Sequence, residues 1–294
     1  MKWNSQTRRY ETAQGKPVPA KQIRDDVDAF IEDQKREVDK QSKLMLAGLL
    51  SVPLFFKWLK DKITAMHGIA GTIAYGGESE MTPERWARIG EKLSSETAYL
   101  ENFERQTLLA QQRTQLLAAD VARTADRVAA VPSGLDSLIE SRVIEAVMQS
   151  DAAGRTVAVE DAIQGALADS IGTAEAESIA AEVARDVLES RNLDEMIWGA
   201  VESRSRQYLD SVYGQYENSV KAREGDAGAV GVRRVCEDDA ASCDECIAAA
   251  TDEYVAMDEI LDIGDATCGG NCRCSFEFEF LGVEPLEIER EIYA

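Results

Sequence analysis

From Lys21 onward, apolar residues recur at steps of mostly three and four. Ile23, Val27, Phe30, Ile31 and Val38 form one stripe, which continues through Leu44 to Leu50. That spacing predicts an amphipathic helix. Gly48 loosens it, and Ser51 followed by Pro53 reads as an N-cap before a second helix. The second helix carries Phe55, Phe56, Trp58, Leu59, Ile63 and Met66, and it should fold back on the first as an antiparallel hairpin. Gly68 and Gly71 suit a close helix approach, and Gly76-Gly77 is a firmer break. Thr82, Pro83 and Glu84 then supply a cap, a first helical residue and a charge matched to the positive end of a helix. Trp86, Ile89, Leu93, Tyr99, Leu100 and Phe103 mark this third helix.

After residue 104 the text turns rich in Ala, Gln and Glu, with Leu108, Leu109, Leu116, Leu117, Val121 and Val128 at helical spacing. Pro132-Ser133-Gly134 is a break, and helices are expected near residues 135–150, 157–170 and 173–199. No strict heptad persists, so no long coiled coil is expected. A further helix over residues 201–225 carries Tyr208, Val212, Tyr213 and Tyr216, placed to pack against the cysteine-bearing segment. Ser275-Phe276-Glu277-Phe278-Glu279-Phe280 alternates strictly and predicts a half-buried strand, a candidate edge. The first twenty residues, with Arg8, Arg9, Tyr10 and a turn-rich GKPVPAK, read as an extended arm, either loosely docked or gripping a neighbouring subunit.

The fold class expected is mainly α: helical hairpins and an elongated helical body, with a small Cys-rich α+β module near the C-terminus. The chain divides into five regions. They are an N-terminal arm (1–20), a helical domain (21–104), an acidic Ala-rich helical insertion (105–200), the Cys-rich module (201–281) and an acidic tail (282–294).

Charge narrows the functions. The net charge is −22, which argues against nucleic-acid binding over the whole surface, because phosphate contacts need a basic footprint. Residues 151–202 hold 12 acids and 3 arginines, a net of −9. They read as solvated faces of amphipathic helices, or as an extension that meets a basic partner. The most apolar window, residues 44–56, is short for a membrane span and is broken by Pro53, so no membrane partner is expected. The polar start lacks an apolar signal region, and synthesis in a reducing cytoplasm is expected.

All six cysteines fall between residues 236 and 274. Cys243-x2-Cys246 places two thiolates on one tight turn, as a tetrahedral metal needs. Cys268, Cys272 and Cys274 lie among Gly264, Gly269, Gly270 and Asn271, residues suited to the tight turns that aim ligands inward. Four of Cys243, Cys246, Cys268, Cys272 and Cys274 could hold a structural zinc ion; disulfides within the cluster or packed reduced thiols are the alternatives. A reducing site of synthesis favours zinc. A catalytic cysteine is not expected, since the one histidine, His67, is far away in sequence and reads as a satisfied core or surface residue. C-x2-C also occurs in thiol-exchange enzymes, but the βαβ pattern that accompanies it there is missing.

Two blocks carry a resemblance. The first runs RRY…GKPV…IR…VD and then W…H…GG…MTPERWARIG…YLENF, and includes Trp58, His67, Gly76, Gly77, Met81, Trp86, Gly90, Tyr99, Leu100 and Phe103. The second, more specific, runs RRV…C-x2-C…IG…TC-x2-NCRC. It includes Arg233, Arg234, Cys243, Cys246, Ile263, Gly264, Thr267, Cys268, Asn271, Cys272, Arg273 and Cys274. Together they cover about half of the chain, and the chain resembles the minor head or head-morphogenesis proteins of tailed bacteriophages, relatives of the Mu-type minor head protein. The resemblance implies a low-copy virion protein near the portal vertex, made in the host cytoplasm. Its implied role is head assembly, DNA packaging or delivery. The implied partners are the portal protein, other copies of itself or other head proteins. No enzymatic activity is implied. The stretch of residues 105–200 has no counterpart in that pattern, and neither has Cys236. The alternative from the residues themselves is a zinc-stapled nucleic-acid-binding protein of the head interior that contacts genome DNA through Arg233, Arg234 and Arg273.

Overall fold

The computed structural model describes residues 1–7, 9–48, 50–129, 134–151, 153–188, 198–236, 244–250, 252–263 and 274–281. The protein is mainly α. Among the described residues the helices are α1 (Ala20–Leu46), α2 (Val52–Tyr75), α3 (Pro83–Ala129), α4 (Leu135–Gln149), α5 (Arg155–Ile171), α6 (Thr173–Leu188), α7 (Trp198–Asp226) and the short α8 (Asp244–Ala249). Strands β1 (Lys2–Asn4) and β2 (Arg9–Glu11) form one antiparallel pair; β3 (Ala229–Val235) and β4 (Ser275–Phe280) form another. The chain divides into two compact units: residues 1–37, 60–97 and 206–294 make the first, and residues 38–59 and 98–205 the second. Helices α1, α2, α3 and α7 each supply residues to both.

The start signals act as their chemistry requires. Ser51 accepts from the Phe55 N–H through its carbonyl at 3.0 Å, and Pro53 occupies the first turn of α2 where no N–H is needed. Thr82 does the same for Trp86 at 3.0 Å, and Pro83 opens α3.

In the second unit, α3 does not stop where the composition changes at residue 104; it runs unbroken for 47 residues. Ala, Gln, Leu, Glu and Arg are all strong helix formers, so the shift alters the surface and not the backbone. One row of its buried positions steps alternately by three and four: Leu100, Phe103, Thr107, Ala110, Thr114, Leu117, Val121 and Thr124, with Ala118, Ala122 and Ala125 widening the buried face toward the end. A seven-residue repeat therefore exists, hidden because threonine and alanine fill half of it. Thr107 and Thr114 are fully buried, and each hydroxyl donates to the carbonyl four residues back, at 2.9 Å. Phe56 meets Phe103 edge-on, with ring centroids 5.2 Å apart. Helix α5 lies against both α4 and α6. It buries Val159, Ile163, Ala166 and Leu167, while Asp161, Asp169, Glu175, Glu177, Glu182 and Asp186 of α5 and α6 face solvent. These six acids are solvated helix faces, as their spacing predicts.

In the first unit, residues 1–18 are a docked hairpin rather than an extended arm. Trp3 and Tyr10 stand directly opposite in the β1–β2 register and pack edge-on with centroids 5.2 Å apart. The Tyr10 hydroxyl donates to the Ile73 carbonyl at 2.8 Å, and Arg223 stacks over the Trp3 ring at 5.3 Å. Trp3 lies on Gly76, which has φ 96°; a Cβ there would come within 2.2 Å of the indole. Gly76→Ala therefore meets both a backbone and a steric penalty. We expect a loss of about 1–3 kcal/mol in denaturant unfolding, together with faster proteolysis of the hairpin. An unchanged midpoint and cleavage rate would show that Trp3 is not seated there.

Candidate functional site

The site begins with α7. Within one face, Gly214, Glu217, Asn218 and Lys221 recur at helical spacing, and every one of them touches the Cys-rich module. A Cβ on Gly214 would sit 3.0 Å from the Ile263 carbonyl, so glycine lets the chain come close. The Asn218 amide donates to the Ile263 carbonyl at 2.8 Å and its oxygen accepts from the Ile263 N–H at 2.9 Å. Lys221 reaches Asp262 at 2.7 Å and donates to the Ile260 carbonyl at 3.0 Å. The sequence predicts this contact for the tyrosines of α7. Tyr213 and Tyr216 are indeed buried, but the neighbouring polar residues Glu217, Asn218 and Lys221 make the hydrogen bonds that anchor the contact.

The module itself is the β3–β4 pair, with Arg234 opposite Phe276 and Arg233 opposite Glu277. Alternate residues point one way: Val232, Arg234, Cys274 and Phe276 are all at 1% exposure or less, over Ile260 and Ile263. The other face is polar. Arg233 binds Glu277 across the strands at 2.7 Å and covers the Tyr254 ring at 5.1 Å. Arg234 donates to the Leu261 carbonyl and stacks over Phe276 at 5.8 Å. Two of the three arginines proposed as a basic footprint, Arg233 and Arg234, are thus engaged within the module.

Strand β4 does not present a clean outer edge. On β3, Val232 exchanges backbone hydrogen bonds with Val255 at 2.8 and 2.9 Å, so it turns its backbone away from β4. Phe276, by the same parity, turns its own backbone groups outward on β4. They are met by a buried ion pair: the Phe276 N–H donates to Glu217 at 3.3 Å, and Arg24 donates to the Phe276 carbonyl at 3.3 Å. Arg24 and Glu217 are joined at 2.8 Å, and the Glu217 side chain is fully buried. Burial pushes the Glu217 carboxyl up, partly offset by Arg24 and by hydrogen bonds from Arg24, the Phe276 N–H and Tyr213. Burial also opposes the charge on Arg24, but Glu217 outweighs it and raises Arg24 above its ordinary value. The hydroxyls of Tyr213 and Tyr216 are raised by burial and then by Glu217.

His67 lies on α2 with no exposed surface. Its Nε2 is 2.9 Å from Glu96 and 3.3 Å from the Ser211 hydroxyl, and Ser211 reaches the same Glu96 oxygen at 2.8 Å. The residue types are those of a hydrolase triad, but the geometry is not. A triad places the carboxylate on one ring nitrogen and the nucleophile on the other. Here both meet Nε2, and Nδ1 makes no hydrogen bond. With the ring sealed from solvent, this cluster ties α2, α3 and α7 together. His67 is a core histidine, as the sequence predicts, but it is satisfied at Nε2 alone, because the buried Nδ1 has no partner.

Of the sequence-predicted metal ligands, Cys274 is fully buried at the start of β4. Cys246 lies on α8 with its side chain outside the described residues, and Cys243, Cys268 and Cys272 lie outside them entirely. Among the described residues no three His, Cys, Asp or Glu side chains gather as a metal would require, and no helix is long and apolar enough to cross a membrane. The acidic tail and Arg273 also lie outside the described residues. Comparison with protein-family models, with curated proteins and with solved structures finds no match to this chain.

Proposed function

We propose that the chain is a structural minor head protein of a tailed phage that associates with the portal vertex and acts through contacts, in head assembly or in DNA packaging and delivery. One observation carries the reading. The two blocks that resemble such proteins lie more than a hundred residues apart in sequence, yet most of both belongs to the first compact unit. His67, Gly76, Gly77, Met81, Trp86 and Gly90 of the front block share that unit with Arg233, Arg234 and Ile263 of the back block. Most of the stretch without counterpart, residues 105–200, belongs to the second unit. Trp58, Tyr99, Leu100 and Phe103 fall on the second side of that division. A zinc ion held by four of the module's cysteines would staple a sheet too small to build much core.

Nucleic-acid binding is the weaker reading, because Arg233 and Arg234 are spent on Glu277, Leu261 and aromatic rings. Retention on DNA at low salt, lost as salt rises, would revive it.

The test is incorporation. In the phage that encodes this chain, Cys243→Ser or Cys272→Ser should give heads lacking the protein, with no change in any catalysed reaction. Normal incorporation of both variants would sink the stapled-module reading.

A further inference from the structure

Cys236 directly follows β3 and Cys274 directly precedes β4, beside the Val235–Ser275 pair that ends the ladder, and the antiparallel register extended by one step sets them opposite each other. Their parity is that of Val232 and Arg234 on one strand and of Phe276 and Phe278 on the other. Val232 turns its backbone to Val255, and Phe276 turns its backbone to Glu217 and Arg24. Facing residues of that parity form the narrow, non-hydrogen-bonded kind of antiparallel pair, with Cα atoms about 4.5 Å apart. A disulfide needs Cα atoms about 4.4–6.8 Å apart, so this kind of pair can accept one without moving the strands. Both side chains belong to the same face. Cys274 is fully buried in the cluster of Val232, Ile260, Ile263 and Phe276, and half-buried Cys236 packs against that cluster.

We propose that Cys236 and Cys274 are a cross-strand pair that closes to a disulfide under an oxidising small-molecule disulfide. The exchange balances. The Cys236 thiolate, the more exposed of the two, attacks oxidised glutathione, forming a mixed disulfide and expelling one glutathione thiolate. The Cys274 thiolate then attacks the Cys236 sulfur and expels the second. The two cysteines lose two electrons and two protons, and two molecules of reduced glutathione carry them away.

Trypsin separates the candidates, because cleavage after Arg273 leaves Cys274 alone on the peptide of residues 274–290. The full chain, treated with oxidised glutathione and digested without reduction, should show that peptide linked to the peptide of residues 235–273. Fragment spectra should place the bond at Cys236. The link should persist in the Cys243→Ser, Cys246→Ser, Cys268→Ser and Cys272→Ser variants and vanish in Cys236→Ser. No link on oxidation, or a link that survives Cys236→Ser, overturns the pairing.

Discussion

Replacing Arg24 by alanine is expected to destabilise the protein by about 3–5 kcal/mol, the cost of stranding one member of a buried ion pair. Glu217 has no exposed side-chain surface, and Arg24 is its charged partner at 2.8 Å. The same guanidinium holds the Phe276 carbonyl, so the variant also leaves the outer edge of β4 without a donor at that point. Glu217→Ala should cost a similar amount, because it strands Arg24 and removes the acceptor of the Phe276 N–H. The double variant Arg24→Met with Glu217→Leu should recover only part of the loss: it removes the stranded charge, but it leaves the Phe276 N–H and carbonyl without their partners. Urea unfolding followed by fluorescence would measure all four chains. Single variants costing less than about 1 kcal/mol would mean that water reaches the pair and that it is not a clasp.

Trp198→Ala is expected to cost the second unit about 3–5 kcal/mol, in the range for a large buried aromatic reduced to a methyl group. Trp198 is fully buried, and its indole N–H donates at 2.9 Å to the Thr114 hydroxyl, which itself donates to the Ala110 carbonyl at 2.9 Å. The loss therefore combines a cavity with a buried hydroxyl deprived of one partner. Trp198→Phe keeps most of the volume and should cost less, about 1–3 kcal/mol, through the lost hydrogen bond and the smaller ring. Thermal unfolding read in the near-ultraviolet, where tryptophan packing reports, separates the two. Equal effects from both substitutions would show that the hydrogen bond, lost in both, decides the stability there and the ring volume that phenylalanine retains does not.

Much of this fold is legible in the text of the chain, for physical reasons that can be named. The stripes of α1 and α2 and the Ser51-Pro53 and Thr82-Pro83 starts depend on local chemistry, and local chemistry is what a sequence displays. The long run of α3 is harder, because Thr107, Ala110 and Thr114 occupy buried positions where a reader looks for leucine. A small residue at a tight contact buries as fully as a large one and leaves no hydrophobic signal. The docked hairpin is harder still. Trp3 and Tyr10 are visible as aromatic residues, but their seat is Gly76, whose positive φ and bare Cα make room for the indole.

The clasp is beyond the reach of local pattern. Arg24 and Glu217 are separated by 193 residues, and each sits in a helix already crowded with charges. Nothing local distinguishes Glu217, which is buried, from Glu202 and Glu224 of the same helix, which are not. A partial signal exists in Gly214, Asn218 and Lys221, a small residue and two polar ones at helical spacing amid tyrosines, the pattern of a helix that receives backbone rather than side chains. The cysteine cluster shows the opposite case. Its spacing is conspicuous in the sequence, while the pairing of Cys236 with Cys274 emerges only from strand register.

The proposed role in a phage head is tested most directly by quantitative mass spectrometry of purified particles made by the genome that encodes this chain. The account predicts the chain in DNA-filled heads at low copy, in a fixed ratio to the portal protein and far below the major capsid protein. Its absence from both filled heads and assembly intermediates, with the protein abundant in the infected cell, would contradict it.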